Sequence, residues 1–84
     1  MRAKHAATLV RIFTKPVPAN LRWADAESLL VALGADVPER VGSRVAVELN
    51  GRIIHLHRPH PSPNMKKAAV ADLREFLKEA GVEP

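Results

Sequence analysis

The chain has no cysteine in its 84 residues, which rules out disulfide staples and thiolate zinc sites and fits a reducing cytoplasm. It also lacks any apolar run near the roughly 20 residues of a membrane-spanning helix. The N-terminal stretch starts basic, with Arg2 and Lys4, but Arg11 breaks its apolar run before it could act as an export signal. There is no internal repeat and no low-complexity tract. Negative charge is scarce in one region: from Arg40 to Lys67, Glu48 is the single acidic residue.

That local absence concentrates the charge. The same region carries Arg40, Arg44, Arg52, Arg58, Lys66 and Lys67, six cations against one anion, or +5. The rest of the chain holds seven basic and eight acidic residues, or −1, so the formal +4 of the whole chain lies in its middle third. Clustering of this kind is the electrostatic footprint of a protein that meets nucleic acid, although a solvated basic surface without a ligand looks the same.

A chain of this length is expected to make one domain, residues 1–84, burying roughly 60–65% of the surface its unfolded form exposes. The seven prolines gather around positions 16–18 and 59–63 and mark connections. Ala6, Leu9, Val10 and Phe13 recur at helical spacing before Lys15-Pro16-Val17-Pro18, so residues 1–18 read as a short helix and a linker. Trp23, Ala26, Leu29, Leu30 and Leu33 form an apolar stripe that predicts a helix from about Leu21 to Leu33, with Gly34 at its left-handed C-terminal cap. Trp23 falls on this stripe and reads as a core anchor. A first strand is expected over Asp36–Val41, at an edge or bulge because Pro38 cannot donate to a ladder. The last helix is expected from about Met65 to Ala80, with Val70, Leu73, Phe76, Leu77 and Ala80 facing inward.

Between these elements lies the segment that carries most information. Arg44–Leu49 and Arg52–His57 alternate in polarity around Asn50-Gly51, the two-residue signal of a type I′ hairpin. Counting back from the turn pairs Leu49 with Arg52 and ends at Arg44 opposite His57. Val45, Val47, Leu49, Ile54 and Leu56 then share one face, and Arg44, Ala46, Glu48, Ile53, His55 and His57 share the other. A slip by one residue would bury the polar set, so burial enforces the register. Residues 20–82 thus read as an αβββα core of α+β class, a three-stranded antiparallel sheet with two helices on one face.

Histidine suits proton transfer near neutral pH, and RNA cleavage without a metal needs a base, an acid and cations around the phosphorane. His55, His57 and His60, with Arg44 and Arg58, supply those types within one hairpin and its following loop. Lys66 and Lys67 open the last helix, where the macrodipole disfavours cations unless an anion joins them. No metal site and no cofactor are expected, since a His55/His57/His60 set lacks a fourth ligand. His5 stands apart and receives no role.

Ala32-Leu-Gly-Ala35 closing a helix, then Gly42-Ser43, a hairpin, His60-Pro61, two lysines and a final helix through Asp72-Leu-Arg-Glu-Phe-Leu-Lys-Glu-Ala-Gly81 resemble the HicA family of bacterial toxins. The resemblance covers about residues 21–82 and leaves the N-terminal helix as an addition. It implies a fold like the double-stranded-RNA-binding domain, an mRNA-cleaving activity without a metal, and inhibition by a HicB-like antitoxin protein. It further implies a catalytic histidine in a Gly-Ser-His triplet, but this chain reads Gly42-Ser43-Arg44. Arginine stays protonated and cannot act as a base. The expected roles are therefore Arg44 as electrostatic stabiliser, His57 as acid or base with His55 as second candidate, and Arg58, His60, Lys66 and Lys67 as phosphate contacts. The expected partners are RNA and the antitoxin, with no membrane and a monomeric free state. A different class of function, a non-catalytic RNA-binding or protein-interaction module, fits the same residues.

Overall fold

The computed structural model describes residues 1–37 and 43–84. Its elements run α1 (Ala3–Ile12), α2 (Trp23–Ala32), β1 (Arg44–Leu49), β2 (Arg52–His57) and α3 (Lys67–Glu79), an α+β arrangement. Among the described residues no helix is long and apolar enough to cross a membrane.

The hairpin forms because Asn50 and Gly51 take φ of 52° and 81°, the two consecutive left-handed positions that a type I′ turn demands. Its register is the expected one at all six positions, from Leu49 opposite Arg52 to Arg44 opposite His57. The Arg58 N–H donates to the Ser43 carbonyl at 2.7 Å, which carries the ladder one pair further. Alternation then sorts the side chains. Val45, Val47, Leu49 and Leu56 are buried and Ile54 is half-buried, while the opposite face with Arg44, Ala46, Glu48, Ile53, His55 and His57 is open to solvent.

Of the expected first strand, Asp36–Val41, the described residues contain Asp36 and Val37. Asp36 makes an isolated antiparallel bridge to Glu48, donating to its carbonyl at 2.8 Å and accepting from its N–H at 3.0 Å. Pro38 to Val41 lie outside the described residues. Among the described residues the sheet therefore has two strands, β1 and β2, where three were expected.

Both long helices start later than their apolar patterns suggest, for a shared reason. The Met65 N–H donates to the Leu21 carbonyl at 2.8 Å and the Trp23 N–H to the Pro63 carbonyl at 3.0 Å, around a bridge between Arg22 and Asn64. Leu21 and Met65 are buried, but their backbones are spent on this long-range pairing rather than on helix. At its other end α2 closes in a Schellman motif: Gly34 at φ 88° lets the Ala35 N–H reach Leu30 and its own N–H reach Val31, both at 3.0 Å. α3 ends in the same way at Gly81, with the Val82 N–H on the Leu77 carbonyl.

The hairpin turn also grips α3. Asn50 Nδ2 donates to the Ala80 carbonyl at 2.8 Å and Arg52 Nε to the Glu79 carbonyl at 3.2 Å, while Arg52 stands 3.7 Å from the Glu79 carboxylate. These bonds occupy carbonyls that a helix end leaves without intrahelical partners.

A single apolar cluster draws on every element. α3 lies directly against β2, and α1 touches both α2 and α3. α1 is therefore part of the core rather than an appendage. Its inner face is not the one its aliphatic spacing suggests: Thr8, Leu9 and Ile12 are buried, whereas Ala6 and Val10 are exposed. Thr8 tolerates burial because its hydroxyl donates to the Lys4 carbonyl at 3.1 Å, a local partner that a polarity count overlooks. His5 Nε2, 2.8 Å from Ser28 Oγ, adds a polar tie between α1 and α2.

Ile12 is fully buried and Val10 is 53% exposed, so the two positions test the role of α1. Ile12→Ala should cost about 2–5 kcal/mol in urea unfolding, and Val10→Ala less than about 0.5 kcal/mol. Equal effects would mean that α1 does not dock through this face.

Candidate functional site

The bonding pattern of the hairpin determines how closely its outward residues approach. Glu48 exchanges both backbone bonds with Asp36, so its amide groups point away from β2. The pairs Glu48–Ile53, Ala46–His55 and Arg44–His57 are consequently the non-hydrogen-bonded ones, in which facing side chains stand closest, with Cα atoms about 4.5 Å apart. Arg44 and His57 are thus intimate neighbours on an exposed face. The same parity turns the N–H and C=O of Ile53, His55 and His57 toward the outer edge of β2, where no strand pairs with them among the described residues.

Along that edge runs an open cleft of 510 Å³. One wall is β2 and the loop after it, with His55, His57, Arg58 and His60; the other is the start of α3, with Lys66, Ala68, Ala69 and Asp72. Positions 68, 69 and 72 lie on one helix face, and the two alanines keep that wall low. The structure therefore brings His55, His57, Arg58, His60 and Lys66 together in one concavity. Arg44 and Lys67 do not line it: Arg44 stands across the hairpin beside His57, and Lys67 is exposed at the first residue of α3.

Arg58 is more constrained than its neighbours. Its guanidinium lies 4.0 Å from the Glu27 carboxylate of α2, its side chain is 38% exposed, and its Nε is buried without a hydrogen-bond partner. The cation thus faces the cleft from a tethered position. Lys66 is the N-cap of α3, where no side chain caps the helix and no acidic residue occupies the first turn. The amides of Lys67, Ala68 and Ala69 precede the first intrahelical bond, which runs from the Val70 N–H to the Lys66 carbonyl. Free N–H groups and an ammonium at a helix start make an anion-favouring arrangement.

Two residues of this region escape a reading of the sequence. Glu27 comes from α2, remote in the chain, and no local pattern announces its approach to Arg58. Asp72 was legible in principle, because helical spacing places it on the face of Ala68 and Ala69, away from the aliphatic stripe. Trp23 is buried, as expected of a core anchor. Among the described residues no three histidine, aspartate or glutamate side chains converge closely enough to hold a metal ion.

With no anion bound, the lysines at the start of α3 oppose the macrodipole. Lys67→Glu is therefore expected to raise the midpoint of urea unfolding at low ionic strength, with the gain shrinking as salt is added. A lower midpoint would show that Lys67 has a stabilising partner.

The model of a family described as the HicA toxin of bacterial toxin-antitoxin matches residues 23–82. The match begins at the first residue of α2 and leaves α1 outside it. No curated protein and no solved structure matches the chain significantly.

Proposed function

The chain belongs to the HicA toxin family of bacterial toxin-antitoxin systems, and from that premise we propose that it binds RNA in the cleft beside β2 and cleaves it without a metal. The observation that carries this reading is the convergence of three imidazoles with Arg58 and Lys66 in one concavity, flanked by Arg44. Cleavage of RNA by its own 2′-hydroxyl requires a base at that hydroxyl, an acid at the departing 5′-oxygen and positive charge around the phosphorane. Arg44 supplies the charge, His57 transfers a proton as acid or base, and His55 is the second candidate. Arg58, His60 and Lys66 hold the flanking phosphates, and Lys67 adds attraction from outside the cleft. The Asp36–Glu48 bridge supports a third strand on the β1 side, and with it the layout of a double-stranded-RNA-binding domain.

A HicB-like antitoxin is the protein partner this family membership implies. An acidic surface on it would be steered toward the basic middle third of the chain and would cover the cleft on arrival. One observation favours a second reading, an RNA-binding module without chemistry: Arg44 occupies the position where the family resemblance implies a catalytic histidine, and a guanidinium cannot accept a proton.

Incubation with a long RNA in excess EDTA distinguishes the two. Fragments should accumulate with the parent protein, and His57→Ala should slow them by about 10²-fold or more, the usual contribution of a positioned acid or base. RNA that is retarded but left intact by the parent would replace the ribonuclease with the binding module. In the binding arm, Arg58→Ala and Lys66→Ala are each expected to lower the slope of log affinity against log salt by about one. An unchanged slope would take that residue out of the interface.

A further inference from the structure

One group in the cleft works against the binding of an anion. Asp72 is the single acidic residue among those lining it. It is exposed, and among the described residues its carboxylate has neither an ion-pair nor a hydrogen-bond partner.

Its place in α3 gives it no structural reward. As the sixth residue of the helix it lies beyond the first turn, where the macrodipole favours a carboxylate. Its neighbours three and four positions away are Ala68, Ala69, Glu75 and Phe76, so no cation reaches it along the helix surface, and Glu75 repels it. Aspartate is also a poorer helix former than the alanines beside it. A carboxylate that weakens phosphate binding and does nothing for the helix is the kind of local violation that marks function.

We infer that Asp72 is a catalytic residue, the general base of the RNA cleavage, working with His57 as the acid. The inference rests on the proposed ribonuclease reading and resolves which group takes which proton. The ionised carboxylate accepts the 2′-hydroxyl proton as that oxygen bonds to phosphorus. The bond from phosphorus to the 5′-oxygen breaks, and the imidazolium of His57 gives its proton to the leaving oxygen. The products are a 2′,3′-cyclic phosphate and a 5′-hydroxyl end, and exchange with water returns both side chains to their starting forms. Arg44, paired with His57 across the hairpin and outside the cleft lining, adds positive charge beside the acid and transfers no proton. A base on α3 accounts for a site whose hairpin presents arginine where a base is required.

The test compares the parent, Asp72→Asn and Asp72→Glu on a long RNA in EDTA, measuring kcat, KM, binding affinity and melting temperature. Asp72→Asn is expected to melt with the parent and to bind RNA as tightly or more tightly, since a repulsive charge is gone. Its kcat should fall about 10²-fold or more. Asp72→Glu should recover part of the rate. A kcat for Asp72→Asn within threefold of the parent would overturn the role of Asp72 and leave the His57-centred reading standing. Loss of binding or of folding in Asp72→Asn would also overturn it, by making Asp72 structural. Absence of cleavage by the parent would remove both readings together.

Discussion

Whether the molecule has a site at all depends on where α3 is held, and α3 is tied at both ends by bonds to backbone. At its start, the extended residues before it pair with the residues before α2 through the Leu21 and Pro63 carbonyls. At its end, Asn50 and Arg52 reach the last carbonyls from the hairpin turn. Side-chain packing alone would tolerate sliding of a helix along an aliphatic sheet face. Two fixed ends do not, and the wall of Ala68, Ala69 and Asp72 is thereby held opposite His55 and His57. Asn50 serves both halves of this device, because the left-handed conformation that turns the hairpin also directs its amide at α3.

Much of the hairpin could be read from the residues because its rules are local. A two-residue turn with Asn-Gly dictates register, register dictates parity, and parity assigns every side chain to a face. The outward grouping of Arg44, His55 and His57 followed without any knowledge of the third dimension. The helix starts were not legible, because Leu21 and Met65 carry helix-compatible side chains while the Met65 N–H is spent on the Leu21 carbonyl and the Trp23 N–H on the Pro63 carbonyl, partners remote in the chain. The inner face of α1 was misjudged for a different reason. Hydrophobic spacing credited Val10 and ignored Thr8, although a hydroxyl that bonds its own helix can be buried at little cost. The cleft was half legible: its β2 wall and Lys66 could be named, but the tether from Glu27 arises only when separate elements meet.

The family match and the core do not share a boundary. The match begins at Trp23, yet Leu9 and Ile12 of α1 are as deeply buried as the aliphatic residues of the hairpin, and α1 touches both α2 and α3. In this chain the folding unit is therefore larger than the matched segment. The α2 that sends Glu27 toward Arg58 is itself braced from behind by α1, through His5 and Ser28 and through the apolar contacts beside them. The added helix thus reaches the candidate site by one intermediate element, without contributing a group to it.

The outward edge of β2 has a consequence for how copies of the chain meet one another. Three residues whose N–H and C=O groups have no strand beside them among the described residues are a template on which another strand can grow, and a second copy offers the same template. Two β2 edges pairing antiparallel about His55 would set Ile53 opposite His57 and Arg52 opposite Arg58. Like charges placed directly across a ladder are destabilising, and both ends of that hypothetical ladder would carry such a pair. The arginines that bound the strand so protect it from its own image, while leaving the edge open to an occupant of opposite charge.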